Sequence, residues 1–307
     1  MDENVPTSSV SVVIPAKNEA AALAVLLPRL TALYPDYEII VVNDGSTDNT
    51  SDICSEAGVK EIRHAYSVGN GAAIKHGARA ATGDFIVFMD GDGQHQPEDI
   101  KRLVDELLKG YDMVVGSRAA QSQASVGRLA ANTLYNRLAS WMVGHRIDDL
   151  TSGFRAVRAG RFREFLHLLP NGFSYPTTST MAFFRAGYLV KYVPVTVLKR
   201  NGKSHVSLMR DGVRFLLIIF KIGTLYSPLK LFTPISFLCF LTGFVYYGFT
   251  FYTVGRFTNM SALLFSTSII VFLMGLVSEQ IAALQYQSVK GDFMDKNTKR
   301  SEGAGKK

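Results

Sequence analysis

The sequence has few cysteines and lacks several signals that would assign it to other classes of protein. Its 307 residues include only two cysteines, Cys54 in a predicted helix and Cys239 in an apolar segment, which argues against a disulfide framework and indicates a reducing compartment. The first residues, Met1-Asp-Glu-Asn, contain no basic region followed by an apolar core, so we expect no cleaved signal peptide. No basic-aromatic RNA-binding signature occurs, and we expect no nucleic-acid partner. The net charge of +7 and the pI of about 9.3 instead favour contact with phosphate or anionic lipid.

Charge is also absent from two long stretches near the C-terminus. The chain is 47% hydrophobic, with a mean hydropathy of +0.12, and the apolar excess lies after about Arg214. Leu231–Gly255 and Phe257–Ser278 contain no charged residue, and each is long enough to cross a bilayer of about 30 Å. Val213–Leu225 mixes apolar residues with Arg214 and Lys221, as an interfacial helix would. A buried hairpin of a soluble protein is the alternative, but two such spans in succession favour a membrane anchor.

The basic residues around these spans predict an orientation. Only Arg256 lies between the spans, whereas a basic set flanks their outer ends: Lys221, Lys230, Lys290, Lys296, Lys299 and Arg300. By the positive-inside rule, both termini and the N-terminal domain lie in the cytoplasm, at a bacterial or archaeal inner membrane. Glu279 ends the second span, where we expect a helix-end role rather than a proton relay. The predicted organisation is a cytoplasmic domain at 1–207, an interfacial amphipathic helix at 208–228, two transmembrane helices at 229–287 and a basic, disordered cytoplasmic tail at 288–307.

Strands and helices alternate in the N-terminal two thirds of the chain. Short apolar runs indicate strands, and apolar residues at helical spacing indicate helices. The predicted strands are Val10–Ile14, Glu38–Val42, Val59–His64, Phe85–Met89, Asp112–Gly116 and Val190–Val195, and the clearest helices are Ala20–Leu33, Gly69–Ala81 and Val126–Val143. This order predicts an α/β domain with a right-handed, Rossmann-like doubly wound parallel sheet. Ligands of such sheets bind in the crevice outside the carboxyl ends of the strands.

Acidic residues follow three of these strands. Glu19 comes after the first strand, Asp44 ends the second, and Asp90 and Asp92 come just after the fourth. Two carboxylates about 5 Å apart would repel each other by roughly 3 kcal/mol at an effective dielectric of about 20, so a bound cation is expected there. Oxygen ligands without nitrogen or sulfur favour Mg²⁺ or Mn²⁺, and Gln94 offers a further neutral oxygen. An ordinary surface turn is the alternative, because Asp-Gly pairs are common in turns.

Acidic residues at one sheet edge suit a nucleotide diphosphate sugar, since carboxylates can bind the nucleoside and a metal can neutralise the diphosphate. The motifs at this edge are Ile14-Pro-Ala-Lys-Asn-Glu19, Val42-Asn-Asp-Gly-Ser-Thr-Asp48, Gly69-Asn-Gly-Ala-Ala-Ile-Lys-His-Gly77 and Asp90-Gly-Asp-Gly-Gln-His-Gln-Pro97. Together they resemble family 2 glycosyltransferases with the GT-A fold. Two further stretches, Val115-Gly-Ser-Arg118 and Asp149-Leu-Thr-Ser-Gly-Phe-Arg155, resemble the branch of dolichol-phosphate mannosyltransferases and bacterial polyprenyl-phosphate glycosyltransferases. The match covers about residues 9–207.

The resemblance implies roles for the residues of these motifs. Pro15, Glu19 and Asp44 would contact the nucleoside. Asp90, Asp92 and Gln94 would organise the metal and the diphosphate, with Asp92 also counted as catalytic.

The resemblance also implies a site for an acceptor phosphate. Arg118 and Arg128 would hold that phosphate, and Asp149 would lie near the reacting sugar. The family pairs its helical Arg with a Ser four residues on, where this chain has Asn132, so a solvated helix charge is the alternative for Arg128. Asp148 is the alternative to Asp149.

A basic loop near the end of the domain completes the implied phosphate site. Arg200-Asn-Gly-Lys-Ser204 matches the family's Arg-x-Gly-x-Ser loop. Arg200 can fork onto a phosphate, Lys203 adds a point charge, and Ser204 is carried over with them as a ligand-binding residue. The family usually has acidic residues where this chain has Tyr175-Pro-Thr-Thr-Ser179 and Lys191-Tyr-Val-Pro194, so the identity of the sugar stays open.

These features together predict a membrane-anchored inverting glycosyltransferase. It would move a single hexose from a UDP-sugar or GDP-mannose to undecaprenyl or dolichyl phosphate, making a lipid-linked sugar donor for cell-envelope or protein glycosylation. A polysaccharide synthase of the same fold is one alternative, but such enzymes carry Gln-x-x-Arg-Trp, and the only tryptophan, Trp141, lies outside such a motif. A non-catalytic membrane scaffold is another, although it would not need a repulsive carboxylate cluster. The donor base, the hexose and the formation of a homo-oligomer stay open.

Overall fold

The computed structural model of the chain describes residues 9–118, 126–172, 174–197, 220, 223–224 and 227–304, without the side chains of 126–132 and 285–304. The chain divides into two compact units, Met1–His205 and Val206–Lys307. The boundary lies close to the predicted end of the N-terminal domain at residue 207.

The first unit contains a seven-stranded sheet and seven described helices. Its strands are β1 (Val10–Ala16), β2 (Glu38–Asn43), β3 (Lys60–Arg63), β4 (Phe85–Phe88), β5 (Met113–Arg118), β6 (Arg155–Arg158) and β7 (Val190–Val195). Its helices are α1 (Ala20–Leu33), α2 (Thr50–Glu56), α3 (Asn70–Ala80), α4 (Asp99–Leu108), α5 (Val126–Val143), α6 (Ala159–Glu164) and α7 (Tyr175–Arg185). The predicted strands and helices are confirmed, with ends that differ by one or two residues.

The strand order is β3-β2-β1-β4-β6-β5-β7. The pairs β1–β2, β1–β4, β2–β3 and β5–β7 are parallel, but β6 is antiparallel to both β4 and β5. The predicted doubly wound sheet is therefore mixed, and its predicted parallel direction fails at β6, a strand that the sequence analysis did not identify. The physical reason is that its four residues, Arg-Ala-Val-Arg, form no apolar run, so neither strand periodicity nor a buried run was visible.

Apolar burial holds the helices against the sheet. All seven residues of β1 and all four of β4 are buried. Leu23, Leu27 and Leu30 of α1 lie at helical spacing and are fully buried against this core. Each such burial stabilises the fold by about 1.5 to 3 kcal/mol, so Leu27→Ala is expected to cost about 2 to 5 kcal/mol.

The antiparallel strand decides which residues meet at the ligand-binding edge. The carboxyl ends of β1, β2, β4 and β5 lie at this edge because these strands run in the same direction. Since β6 runs the other way, its amino end lies there, with Arg155 opposite Phe88 and Val115. The turn that precedes Arg155, residues 149–154, consequently lies beside the ends of β4 and β5.

The described part of the second unit contains two long helices, α8 (Pro228–Val254) and α9 (Asn259–Ala304). Pro228–Val254 and Asn259–Leu284 are long and apolar enough to cross a membrane by length and composition. The helices contact each other through small residues, as membrane helices do. Ser236 Oγ donates to the Ser268 carbonyl at 2.9 Å, and Ser268 Oγ donates to the Ser236 carbonyl at 3.0 Å.

Two sequence predictions about the hairpin can be compared with the structure: the role of Glu279 and the state of residues 288–307. The Glu279 carboxylate accepts the Leu229 N–H at 3.2 Å, which satisfies a free donor at the start of α8 and agrees with a helix-end role. The backbone of α9 continues to Ala304, through most of the 288–307 segment for which the sequence predicts a disordered tail. That segment contains no proline, so its backbone can continue the preceding helix.

Candidate active site

A cavity of about 390 Å³ opens at the carboxyl ends of β1, β2 and β4. Its lining combines the motifs that the sequence places after these strands with the start of α3. The lining residues are Pro15, Ala16, Lys17, Glu19, Asp44, Ser67, Gly69, Asn70, Ala73, Asp90, Gly91 and Asp92. The structure thus brings together all the residues expected to contact the nucleoside and both carboxylates expected at the metal. Lys17, which the sequence analysis did not select, adds a positive charge to the lining.

Asp44 accepts four hydrogen bonds from its own chain. Its Oδ1 accepts from His64 Nδ1 and from the Val68 N–H, both at 2.8 Å. Its Oδ2 accepts from Ser67 Oγ at 2.7 Å and from the Gly69 N–H at 2.9 Å. Burial alone would raise the pKa of Asp44, but these bonds outweigh it and lower the pKa to about 2. Asp44 is therefore ionised and holds the loop between β3 and α3 against the end of β2.

His64 and His76 form a chain behind Asp44 that the sequence analysis missed. Because an ionised carboxylate only accepts, His64 Nδ1 carries a proton, and its Nε2 can accept from His76 Nδ1 at 2.6 Å. His64 is buried and His76 is exposed. Burial, followed by the positive charge of its neighbours, lowers the pKa of His76. The signal for His64 was its position directly after β3, at the same edge as Asp44.

The turn after β1 positions Glu19. Asn18 has a φ of +54°, in the left-handed region that Asn tolerates better than most residues. Its Oδ1 accepts the Thr47 N–H at 2.8 Å, and its own N–H donates to Ser46 Oγ at 2.9 Å. The Asp48 carboxylate accepts the first N–H of α1 at 3.1 Å. These bonds join the motif after β1 to the motif after β2, so both sides of the nucleoside region are held together.

The loop after β4 presents Asp90 and Asp92 to the cavity. Asp92 Oδ1 accepts the backbone N–H of Gln94 at 3.1 Å. Gln94 is not among the described residues that line the cavity, so its role as a third metal ligand stays a prediction.

His95 and Gly153 lie next to the Asp90 carboxylate and limit its position. His95 is buried, stacks on Phe154 with ring centroids 4.8 Å apart, and has its Nε2 3.7 Å from Asp90 Oδ2. A Cβ at Gly153 would lie 2.7 Å from the same oxygen, so a side chain there would displace Asp90. Both residues lie in motifs that the sequence analysis quoted without giving these two residues a role.

The donor set suits a hard divalent cation whose coordination a substrate completes. Within the described part of the chain, no group of three or more His, Cys, Asp or Glu side chains is arranged to hold a metal by itself. Asp90 and Asp92 offer two carboxylates, and Mg²⁺ commonly takes one or two carboxylates together with waters and phosphates. The residues therefore fit a Mg²⁺ or Mn²⁺ ion bound with a diphosphate, and they do not fit a structural zinc site.

Arg118 and Asp149 form an ion pair at the ends of β5 and the turn before β6. Arg118 Nε donates to Asp149 Oδ2 at 2.8 Å, and Nη2 donates to Oδ1 at 2.9 Å and to Thr151 Oγ1 at 2.6 Å. Burial would raise the pKa of Asp149, but the bonds and charge of Arg118 lower it. This pairing argues against Arg118 as a main ligand of the acceptor phosphate. Asp148 instead pairs with the exposed Arg146 at 2.8 Å.

Arg155 holds the turn at residues 149–154 by a hydrogen bond. It is fully buried, and its Nη2 donates to the Ser152 carbonyl. Its Nη1 donates to the Pro176 carbonyl at 3.0 Å and to Ser179 Oγ at 2.8 Å. Burial lowers the pKa of Arg155. Arg155 therefore joins the 149–154 turn to the first turns of α7.

Several residues expected at the acceptor phosphate lie outside the described residues. These are Arg200, Lys203 and Ser204, together with the side chains of Arg128 and Asn132. Most of the predicted interfacial helix at 208–228 lies outside them too. The assignment of these residues to an acceptor phosphate stays a prediction.

Comparison with sequence families gives two matches. Residues 11–166 match the family described as Glycosyl transferase family 2. The chain belongs to glycosyltransferase family 2. Residues 227–284 match the GtrB C-terminal hairpin, which corresponds to α8 and the apolar part of α9. The predicted family is thereby confirmed, and the hairpin match supports the predicted branch.

Solved structures of one related enzyme resemble this glycosyltransferase. Glucosyl-3-phosphoglycerate synthase from Mycobacterium tuberculosis, with Mn²⁺, UDP and glucosyl-3-phosphoglycerate, is 25% identical, with a TM-score of 0.56 over 71% of this chain and 79% of that chain. The complex with Mn²⁺, UDP-glucose and phosphoglyceric acid is 25% identical, with a TM-score of 0.57 over 69% and 80%. The complex with Mn²⁺, UDP-glucose and glycerol 3-phosphate is 26% identical, with a TM-score of 0.56 over 71% and 79%. The predicted GT-A class, followed by a two-helix hairpin, is confirmed.

Proposed function

We propose that this glycosyltransferase is anchored in a membrane and transfers a single hexose from a nucleotide diphosphate sugar to a polyprenyl phosphate. The observation that carries the proposal is the presence in one chain of an acidic GT-A cavity and a hairpin of the GtrB type. The cavity suits a water-soluble sugar donor. The hairpin would anchor the enzyme in a bilayer, where a lipid acceptor is found.

The donor proposal rests on the cavity lining. Pro15, Glu19 and Asp44 form the side that suits a nucleoside, and Asp90 and Asp92 form the side that suits a metal-bound diphosphate. The related synthase has been solved with Mn²⁺ and UDP-glucose, which supports a nucleotide sugar here. Either UDP-sugar or GDP-mannose remains a candidate donor.

The proposed cofactor is Mg²⁺ or Mn²⁺, held by Asp90 and Asp92. When bound, such an ion would neutralise the negative charge that develops on the departing diphosphate. Asp90 is positioned for this by His95 and Gly153, and Asp92 by the Gln94 N–H. Lys17 lies in the same lining and can add a positive charge near the phosphates.

Transfer with inversion needs the acceptor oxygen on the face of the sugar opposite the diphosphate. A phosphate is already anionic at neutral pH, so the acceptor needs no strong general base. The Arg118–Asp149 pair keeps the turn at residues 149–154 in place beside Asp90, and we assign this pair to positioning. The acceptor phosphate would then be held by Arg128, Arg200 and the nearby Lys203 and Ser204.

The acceptor proposal rests on the hairpin and on phosphate chemistry. The related synthase has been solved with phosphoglyceric acid and with glycerol 3-phosphate, both of which carry a phosphate. A membrane-anchored enzyme of this family would find its phosphate on a lipid such as undecaprenyl or dolichyl phosphate. Its product would be a lipid-linked sugar for cell-envelope or protein glycosylation. The charge asymmetry of the hairpin supports a proposed position of the glycosyltransferase unit on the cytoplasmic side of a bacterial or archaeal inner membrane.

The test is transfer by the purified full chain in lipid nanodiscs. The chain is incubated with Mn²⁺, polyprenyl phosphate and each of a panel of UDP- and GDP-sugars, and products are analysed by mass. We expect one hexose on polyprenyl phosphate. Asp92→Asn should lower the rate by orders of magnitude because it removes a metal charge without removing volume. Asp105→Asn is the matched control, since the Asp105 side chain is 45% exposed on α4 and pairs with Lys101.

Two results would contradict the proposal. A polymer of sugars released without lipid would instead assign the chain to the polysaccharide synthases. Near-normal transfer by Asp92→Asn in the presence of a chelator would rule out the metal role of the loop after β4.

A further inference from the structure

The hydrogen bonds of Asp44 leave no acceptor position open for a nucleoside. An ionised carboxylate has about four lone-pair sites. In Asp44 they are occupied by His64 Nδ1, the N–H groups of Val68 and Gly69, and Ser67 Oγ. A ligand that is to hydrogen-bond Asp44 must therefore replace one of these four donors.

Three of the four donors are fixed in place. The His64 ring is buried and is hydrogen-bonded through both ring nitrogens. The other two donors belong to the backbone of a closely packed loop. Gly69 has a φ of +112°, and a Cβ there would lie 2.4 Å from the Asn171 carbonyl oxygen. A Cβ at Gly45 would lie 2.7 Å from the Ser67 N. The backbone of this loop therefore has little room to move away from Asp44.

The Ser67 hydroxyl is the donor that can leave. It is attached through a single rotatable bond, its residue is exposed, and it lines the cavity. Rotation of this bond would free Asp44 Oδ2 as an acceptor and would direct the Ser67 O–H to a neighbouring acceptor on the ligand. The cavity lining would then present Asp44 Oδ2 as an acceptor and the Ser67 O–H as a donor, side by side.

We propose that Ser67 is a specificity-determining residue that selects a nucleobase with a ring N–H next to a carbonyl. The inference rests on the proposed function, in which the cavity binds a nucleotide donor. The ring N–H of the base replaces Ser67 Oγ at Asp44 Oδ2, and the Ser67 hydroxyl donates to the adjacent carbonyl oxygen. The number of hydrogen bonds to Asp44 stays the same, and Ser67 gains a new acceptor. His64 is a positioning residue, since it holds the plane of the Asp44 carboxylate.

This arrangement separates the common bases into two groups. Uracil and guanine each present a ring N–H beside a carbonyl, which matches the acceptor and donor. Cytosine and adenine present a ring nitrogen with a lone pair beside an amino group. The ring lone pair would face the acceptor Asp44 Oδ2, and the carbonyl to which Ser67 would donate is missing. A mismatch of buried polar groups in a binding site reduces affinity by about tenfold to a hundredfold.

The test compares bases of equal size with the full chain in nanodiscs. Calorimetry with Mn²⁺ gives the affinities for UDP, CDP, GDP and ADP in the wild type, Ser67→Ala, Ser67→Thr and Ser55→Ala. Ser55 is exposed on α2 and serves as the matched control. We expect the wild type to prefer UDP over CDP, or GDP over ADP, by at least about tenfold. Ser67→Ala should lower that ratio about fivefold or more, while Ser67→Thr, which keeps the hydroxyl, and Ser55→Ala should preserve it.

The ratio of the affinities for UDP and CDP, or for GDP and ADP, distinguishes recognition of the base from damage to the fold. Loss of folded protein or of the diphosphate contacts would weaken both nucleotides of a pair equally and leave the ratio unchanged. An unchanged ratio in Ser67→Ala overturns the role of Ser67 and leaves the proposed function standing. If the wild type binds none of the four nucleotides, the proposed nucleotide donor fails, and the inference about Ser67 fails with it.

Discussion

Replacing Asp149 by Asn removes the counter-charge of Arg118 at nearly constant volume. In the wild type, Arg118 Nε and Nη2 donate to the two Asp149 oxygens at 2.8 and 2.9 Å. The Asn oxygen can accept one of these bonds, but the Asn NH₂ group would then face another N–H donor. We expect this variant to lose one charge-assisted hydrogen bond and to leave a guanidinium without its counter-charge.

The size of the effect follows from the exposure of the pair. A hydrogen bond to a charged group contributes about 1.5 to 3 kcal/mol, and breaking a fully buried ion pair costs about 3 to 5 kcal/mol. The Asp149 side chain is 8% exposed, but that of Arg118 is 31% exposed, so water can solvate the released guanidinium in part. We therefore expect Asp149→Asn to lower the free energy of unfolding by about 2 kcal/mol, below the value for a fully buried pair.

A double-mutant cycle separates the pair from its surroundings. The wild type, Asp149→Asn, Arg118→Met and the double variant are unfolded with urea as full chains in nanodiscs. The only tryptophan, Trp141, lies on α5 in the first unit and reports the unfolding of that unit by fluorescence. We expect a coupling energy of about 1 to 2 kcal/mol between the two positions.

The neighbouring residue provides the control. Asp148 pairs with Arg146, but the two side chains are 40% and 89% exposed, so Asp148→Asn should change the free energy of unfolding by less than about 0.5 kcal/mol. A coupling energy below about 0.3 kcal/mol, or an Asp148→Asn effect as large as that of Asp149→Asn, would refute the assignment of Arg118 to Asp149. Arg118 would then return as a candidate for the acceptor phosphate.

Three further predictions concern the anchor, the acceptor and the response to acid. A reporter fused after Lys307 should be cytoplasmic and one inserted near Thr258 should lie outside; the same side for both would contradict the hairpin topology. Arg200→Ala should weaken the affinity for polyprenyl phosphate about ten- to a hundredfold with little change for the sugar donor, whereas equal losses for both would contradict an acceptor role. Hydrogen bonds outweigh burial and lower the pKa values of Glu38 and Asp44 to about 2, from ordinary values of 4.5 and 3.8. As the pH falls, the unfolded chain takes up protons before the folded chain does. The stability that these groups contribute should therefore be complete above about pH 5 and lost as the pH falls to about 2. Asp44→Asn should reduce this loss of stability in acid titrations followed by Trp141 fluorescence.

The acidic side of the cavity was predictable from sequence because of one geometric rule. Strands that run in the same direction end at the same edge, so residues that follow β1, β2 and β4 meet there. Glu19, Asp44, Asp90 and Asp92 all line the cavity as this rule predicts. The same rule applied to β3 would have selected His64, which the sequence analysis passed over.

The hairpin was predictable for a different reason. A bilayer of about 30 Å requires about 20 consecutive apolar residues in a helix, and such a length is visible without any knowledge of the fold. Apart from one or two residues at one end of each, the predicted spans Leu231–Gly255 and Phe257–Ser278 lie within α8 and α9. The bond from the Leu229 N–H to Glu279, 50 residues away, was not visible, because it depends on how the two helices pack.

The sequence by itself determined the family, the elements of the sheet other than β6, the acidic strand ends and the apolar hairpin, since each depends on short motifs or on the spacing of apolar residues. Only the tertiary structure decided the partners of the charged groups. Arg118 and Asp149 meet because β6 runs antiparallel between β4 and β5, and the four-residue strand Arg155–Arg158 gives no local sign of that direction. Asp44 likewise has its four donors because the loop before α3 returns over the end of β2. Side-chain pairing of this kind depends on contacts between residues 20 or more positions apart, which no local pattern specifies.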